Sequence, residues 1–219
     1  MTPPEAAEPP RFLVVFALEG EARPFRRQLA GRPGVEVAVT GMGPENARRG
    51  FLTALERGRP GVVITSGLAG GLDPGLALND IVCECGSDFP LRQLLLDRGA
   101  RPVRFHCAPQ VICFAADKRR LFQSGGAEAV EMESGVIRAL CRDQGIPAAT
   151  VRVISDTAGE DLPLDFNRYA RPNHQIAYEK IVLALLARPG KLPELLRFQR
   201  QTQAAAAQLA RFLVQVAAG

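Results

Sequence analysis

Glu133 and Asp156 are the residues of this chain whose type and setting could do chemistry. Ala129-Val130-Glu131-Met132-Glu133-Ser134 is followed about twenty residues later by Val151-Arg152-Val153-Ile154-Ser155-Asp156, which places carboxylates at the ends of two apolar segments. If the segments converge, Glu133 and Asp156 grip one small polar molecule from two sides. One carboxylate can accept a pair of hydroxyl hydrogen bonds, and a second, protonated one can supply a leaving group with its proton. That chemistry holds a sugar and releases what is attached to it. Each acid also has a plainer role open to it. Glu131 and Glu133 flank Met132 and share a side only on an extended segment, where one bonds the scaffold and the other meets a ligand. On a helix start they would face the helix dipole instead. Asp156, before the small residues Thr157-Ala158-Gly159, reads as a general acid with a burial-raised pKa or as a turn or N-cap aspartate. Glu19 and Glu21 either orient a water or form a charged first helical turn.

The elements that must position these residues alternate along the chain. Residues 12–17 form a short continuous apolar run, predicted to be a strand buried on both faces. Residues 19–29 have helical spacing, and 35–40 alternate as a strand up to the turn Gly41-Met42-Gly43. A helix is predicted from Pro44, where a missing N–H costs nothing. Residues 61–65 read as a second buried strand that breaks into the glycine-rich turn Ser66-Gly67-Leu68-Ala69-Gly70-Gly71-Leu72. Further strands are expected at 80–83, 110–114 and 149–154, the last ending at Ser155-Asp156. Residues 84–109 carry no readable pattern. Helices are expected at 115–123, stopped by Ser124-Gly125-Gly126, from Glu131 through Leu140, at 175–187, and at 192–217. This order predicts an α/β fold, a central sheet covered by helices on both faces, with ligands beyond the strand ends.

At 219 residues the chain suits one domain, 11–219, after a proline-rich tail at 1–10 expected to be disordered. The net charge of +4 is scattered. Arg26-Arg27, Arg48-Arg49 and Lys118-Arg119-Arg120 read as solvated helix faces, and the absence of Trp argues against a base-stacking platform, so no nucleic-acid partner is expected. The apolar block 12–18 is too short to span a bilayer, so no integral membrane segment is expected. Five cysteines, an odd number, suit a reduced cytoplasmic setting. Cys83-x-Cys85 with two histidines does not make a metal site, and no metal or cofactor is expected. The turn at Gly67 has neither a dinucleotide fingerprint nor a phosphate-loop lysine; its glycines would let backbone approach a sugar or base closely.

Taken together, five blocks resemble the nucleoside phosphorylase and nucleosidase superfamily, and within it the 5′-methylthioadenosine/S-adenosylhomocysteine nucleosidases. They are Phe16-Ala-Leu-Glu-Gly-Glu21, Thr40-Gly-Met-Gly-Pro-Glu-Asn-Ala47, Ser66-Gly-Leu-Ala-Gly-Gly-Leu-Asp73 with Asn79-Asp-Ile-Val82, and the two segments of Glu133 and Asp156, in the family's order. The resemblance implies a three-layer α/β/α sandwich with a mixed central sheet, a homodimer, and hydrolysis of the N-glycosidic bond of an adenosine-type nucleoside. It implies that Asp156 hydrogen-bonds or protonates the purine at N7 and that Glu21 positions and activates the attacking water. Glu133 would bind the ribose hydroxyls and Met132 would pack on the sugar. Glu131, Arg152, Ser155, Leu68, Ala69 and Gly70 would complete the substrate site, with Phe114 stacking on the base. Phosphorylases of the superfamily have a glycine-aspartate loop after the first strand and an arginine beside the glycine-rich turn. Here Leu18-Glu19-Gly20-Glu21 puts acids there and no arginine precedes Ser66, which favours water over phosphate.

The chain departs from the nucleosidase pattern at Leu68, where a serine is usual, in a shortened 83–127, and in a C-terminal run Ala187-Arg-Pro-Gly-Lys-Leu-Pro-Glu-Leu-Leu196. In these features it is similar to the hopanoid-associated phosphorylases, whose substrate would be adenosylhopane. A non-catalytic nucleoside-binding module is the alternative of another class.

Overall fold

A computed structural model describes residues 12–29, 32–169 and 189–218. The proline-rich start and the helix expected at 175–187 lie outside the described residues. The strands are β1 (Phe12–Phe16), β2 (Val35–Val39), β3 (Val62–Gly71), β4 (Ile81–Cys85), β5 (Arg101–Pro102), β6 (Phe105–Cys107), β7 (Ala129–Glu131) and β8 (Ala148–Asp156). The α-helices are α1 (Glu19–Leu29), α2 (Pro44–Leu55), α3 (Arg92–Asp97), α4 (Ala115–Gly125), α5 (Ser134–Asp143) and α6 (Leu192–Ala218).

β1 shows how the sequence builds the layers. Its side chains alternate across the sheet, and Leu13, Val14, Val15 and Phe16 are all essentially inaccessible to solvent. Val14 and Phe16 enter a core with Phe25 of α1, Leu95 of α3 and Leu209 and Leu213 of α6. Leu13 and Val15 enter a second core with Phe51 of α2 and Ile137 of α5. Helices therefore cover both faces, as the expected three-layer sandwich requires. The sheet runs β2-β1-β3-β8-β4-β5, with β7 joining β3 and β6 joining β7. β1 is parallel to β2 and β3, and β3 is parallel to β8. β8 is antiparallel to β4, and β3 is antiparallel to β7, so the sheet is mixed.

The structure departs from the sequence expectation in four places. β3 does not break at Ser66 but continues through Gly71, because β8 pairs along its length as far as Gly70–Asp156 and β7 adds Gly70–Val130 and Gly71–Ala129. Residues 129–131 are a strand, and the helix expected from Glu131 begins at Ser134. The apolar run 110–114 forms no strand. Asn167 satisfies the backbone of Val111 instead, accepting from its N at 3.1 Å and donating to its O at 2.8 Å. Residues 84–109, unreadable in sequence, hold α3, β5 and β6. The stop of α4 falls where expected, with Gly126 in the left-handed conformation at φ 60°. No helix among the described residues is long and apolar enough to cross a membrane.

Candidate active site

The C-terminal end of β3 is the spine of the site. Gly67, with φ 139°, lies against two functional side chains: a Cβ there would fall 2.6 Å from Arg152 Nη1 and 2.9 Å from Glu21 Oε2. Three residues on, a Cβ at Gly70 would fall 3.1 Å from Asp156 Oδ2. The two glycines are about 10 Å apart along an extended strand. A β-bulge between Ala69 and Gly70 shifts the pairing, so that Gly70 faces Asp156.

At the Gly67 end, three carboxylates surround one guanidinium. Arg152 is 2 % exposed, donates from Nη1 to Ser66 O at 3.0 Å, and reaches Glu131 Oε2 at 2.6 Å and Glu133 Oε2 at 3.4 Å from Nη2. Its Nε is a buried side-chain polar atom without a hydrogen-bond partner among the described residues. Burial alone would lower its pKa, but Glu131, Glu133 and Glu21 reverse this and carry it upward.

The carboxylates differ in how fully the protein occupies them. Glu131 receives Arg152, the backbone N–H of Glu133 and of Ser134 at 3.0 and 2.7 Å, the Ser134 hydroxyl at 2.9 Å, and the Cys107 thiol. Those donors fill its acceptor sites, and Glu131 braces Arg152 and the start of α5. Burial pushes its pKa up, and Arg152 with these donors more than offsets that, leaving it lowered. Arg152 is likewise enclosed by protein groups.

Glu133 and Glu21 keep free acceptor capacity. Glu133 accepts from Gly43 N at 3.0 Å, a contact set by the turn before α2. Burial pushes its pKa up to about 7, opposed by Arg152 and reinforced by Glu131. Glu21, on the inner face of α1, accepts from Leu68 N at 3.1 Å and Leu18 N at 3.2 Å. Burial raises its pKa against the pull of Arg152. Leu68 thus contributes its backbone to the site, and Met132 lies half-buried between Glu131 and Glu133.

At the Gly70 end, Asp156 is 6 % exposed. Its Oδ1 accepts from the Ser155 hydroxyl at 2.8 Å, which also reaches Ala69 O at 3.3 Å. Its Oδ2 pairs with the Lys118 ammonium. Lys118 was expected on a solvated face; instead its side chain is wholly buried. One sequence signal was available, since Lys118 stands three and four residues before Leu121 and Phe122 and so shares their apolar face of α4. Gln201 of α6, also absent from the expected set, donates to Ser155 O at 2.7 Å. Phe114 caps α4 and is 44 % exposed, lining a hollow of about 580 Å³ with Val111, Leu121 and Asn167.

Comparisons with known proteins place this geometry in context. The 5′-methylthioadenosine/S-adenosylhomocysteine nucleosidase of Mycobacterium bovis is 27% identical over 191 residues, covering 62% of this chain and 74% of that protein. The enzyme of the same description from Shewanella halifaxensis is 27% identical over 196 residues, covering 73% and 83%. Among solved structures, Helicobacter pylori futalosine hydrolase superposes with a TM-score of 0.71 at 16% identity, covering 95% of this chain and 97% of that one. The Helicobacter pylori 5′-methylthioadenosine/S-adenosylhomocysteine nucleosidase, solved with butyl-thio-DADMe-Immucillin-A, gives 0.72 at 15% identity, covering 95% and 98%. At such identities these structures speak to the fold alone. The sequence profile of the phosphorylase superfamily matches residues 15–89 and 84–187, most of the chain, and the chain belongs to that superfamily.

Proposed function

We propose that this chain hydrolyses the N-glycosidic bond of an adenosine-type nucleoside and releases adenine. The observation that carries the reading is that buried acid groups meet β3 at two points three residues apart, Glu21 with Arg152 at Gly67 and Asp156 at Gly70. Glu133, with unfilled acceptor sites beside Arg152, binds the ribose hydroxyls, and Met132 packs on the sugar. Glu21 orients the attacking water and takes its proton; a burial-raised pKa suits a base working near neutrality. Asp156, held by Ser155, gives a proton to N7 as the bond to C1′ breaks, so the base leaves neutral. Leu68, Ala69 and Gly70 form the floor between the two ends, and Phe114, at the start of the helix that carries Lys118, stacks on the base.

Water is the nucleophile in this reading because three carboxylates outnumber one guanidinium where an anion would have to enter. The relatives named for nucleosidase activity support the same choice. The chain works as a cytoplasmic homodimer in this reading, which light scattering checks for the assembly.

The test is a panel of methylthioadenosine, S-adenosylhomocysteine, futalosine and adenosylhopane, read by base release with and without phosphate. Base release without phosphate is expected, falling about 10²- to 10⁴-fold in Asp156→Asn. Strict dependence on phosphate would overturn the choice of water. Tight adenine binding with no turnover would make the chain a nucleoside-binding module instead.

A further inference from the structure

Lys118 is the buried charged side chain to which the nucleosidase reading assigns no task. It reaches Asp156 from a different element, 38 positions away in sequence, and is wholly enclosed. Its ammonium donates to Asp156 Oδ2, to Thr157 O at 2.8 Å and to Glu160 O at 2.9 Å, which accounts for all three of its hydrogens. The turn it ties down is closed from within, since Glu160 Oε2 accepts from Thr157 N at 2.8 Å. A buried ammonium persists only where it is paired and fully hydrogen-bonded, and here its one ionic partner is the acid that meets the base.

We propose that Lys118 is a positioning residue for departure of the base: it holds the Asp156 carboxyl at the end of β8 and stabilises the negative charge that Asp156 acquires when it gives up its proton. The proposal rests on the nucleosidase reading. In that reaction the C1′–N9 bond breaks and its electron pair passes into the purine, while N7 takes the proton of Asp156. The water oxygen bonds to C1′ and its proton passes to Glu21. Neutral base and free sugar leave, and Asp156 regains a proton from solvent as Glu21 returns one. Asp156 and Lys118 form an ion pair at rest, and the proton that Asp156 takes from solvent is carried only through the step; the carboxylate left when N7 takes it lies beside a fixed cation in a site of reduced dielectric, where such stabilisation is strongest. A leaving group that departs as a stable anion takes no proton and gains nothing from Lys118.

That difference separates the role from a purely structural one. Lys118→Met keeps the length of the side chain and removes its charge. Its cleavage of the adenine nucleoside that the wild type cleaves fastest is expected to fall about 10²-fold, while cleavage of 4-nitrophenyl riboside falls far less. Equal losses on the two substrates would overturn the proposal. Asp156→Asn is compared with Asp156→Asn/Lys118→Met on the adenine nucleoside in parallel. If Lys118 acts through Asp156, the second substitution costs no further rate, whereas a further loss overturns the proposal. Circular dichroism of each variant checks that folded proteins are compared, since Lys118→Met and Asp156→Asn each strand one buried charge whereas the double variant buries neither. A wild-type protein that releases no base from any adenine nucleoside overturns the nucleosidase reading, and Lys118's role with it. An active wild type with evenly impaired variants overturns only the role of Lys118.

Discussion

At one end of the Gly67–Gly70 stretch three carboxylates share a single guanidinium; at the other, one carboxylate has an ammonium to itself. The contrast in charge balance separates the two ends. Around Arg152 the acids compete. Glu131 takes the closest contact and the most donors and is held low, while Glu133, at 3.4 Å, is pushed up to about 7. Surplus acids of this kind are poised to bind hydroxyls and to accept a proton. Around Asp156 the charges match and every donor of Lys118 is used, so that end is built to hold one group in one place.

The largest expected effect comes from removing the shared cation. Arg152→Met leaves three acids buried without compensation and should cost about 3–5 kcal/mol in urea unfolding, because a broken buried pair strands its partner charges. A loss under 1 kcal/mol would mean that the cluster is neutral rather than charged.

Next is the pH dependence set by Glu133. Its carboxyl binds a proton more tightly in the folded state than in the unfolded chain, whose value is 4.5. This contribution to stability is complete below about pH 4.5 and is lost as pH rises to about 7, an amount of about 3 kcal/mol. Glu133→Gln should remove that slope, so the variant compares better with the wild type at pH 8 than at pH 5. Parallel curves in urea unfolding would show that Glu133 is not the group responsible.

Adding a methyl group at either glycine probes the two ends separately. Gly67→Ala drives a Cβ into Arg152 and Glu21 at a φ that side chains rarely adopt, and should cost about 1–3 kcal/mol. Gly70→Ala, whose Cβ would meet Asp156 and Val130 at 3.1 Å, should cost less in thermal unfolding. The reverse order would place the tighter packing at the Asp156 end. Smallest of all is the exposed pair of Glu19 and Arg26 on α1, at 2.6 Å. Arg26→Ala should change stability by no more than about 1 kcal/mol, which sets the scale for a solvated ion pair against the two buried ends.

Much of the fold was legible because local patterns encode it. The apolar run of β1, the spacing of α1, the proline opening α2 and the glycine stop of α4 are signals within a few residues of the elements they define. Where reading failed, partners distant in sequence decided. Gly67 and Gly70 look like a turn, yet β7 and β8 hold them in a strand. Residues 110–114 look like a strand, yet Asn167 occupies both backbone groups of Val111 and Leu162 N donates to Cys113 O.

The candidate site divides the same way. The order of motif blocks alone pointed to the superfamily and to three candidate acids. Glu21, Glu133 and Asp156 were all named from sequence. What each acid does was decided by tertiary structure. Glu131 and Glu133 are two residues apart and alike in type, but one is filled by Arg152, Cys107 and Ser134 while the other retains acceptor sites. Lys118 reads as one more basic residue on a surface helix until folding seals it against Asp156. The physical reason is common to both cases. Residue type sets the charge a side chain carries, but its solvation and its partners depend on which segments the fold packs against it.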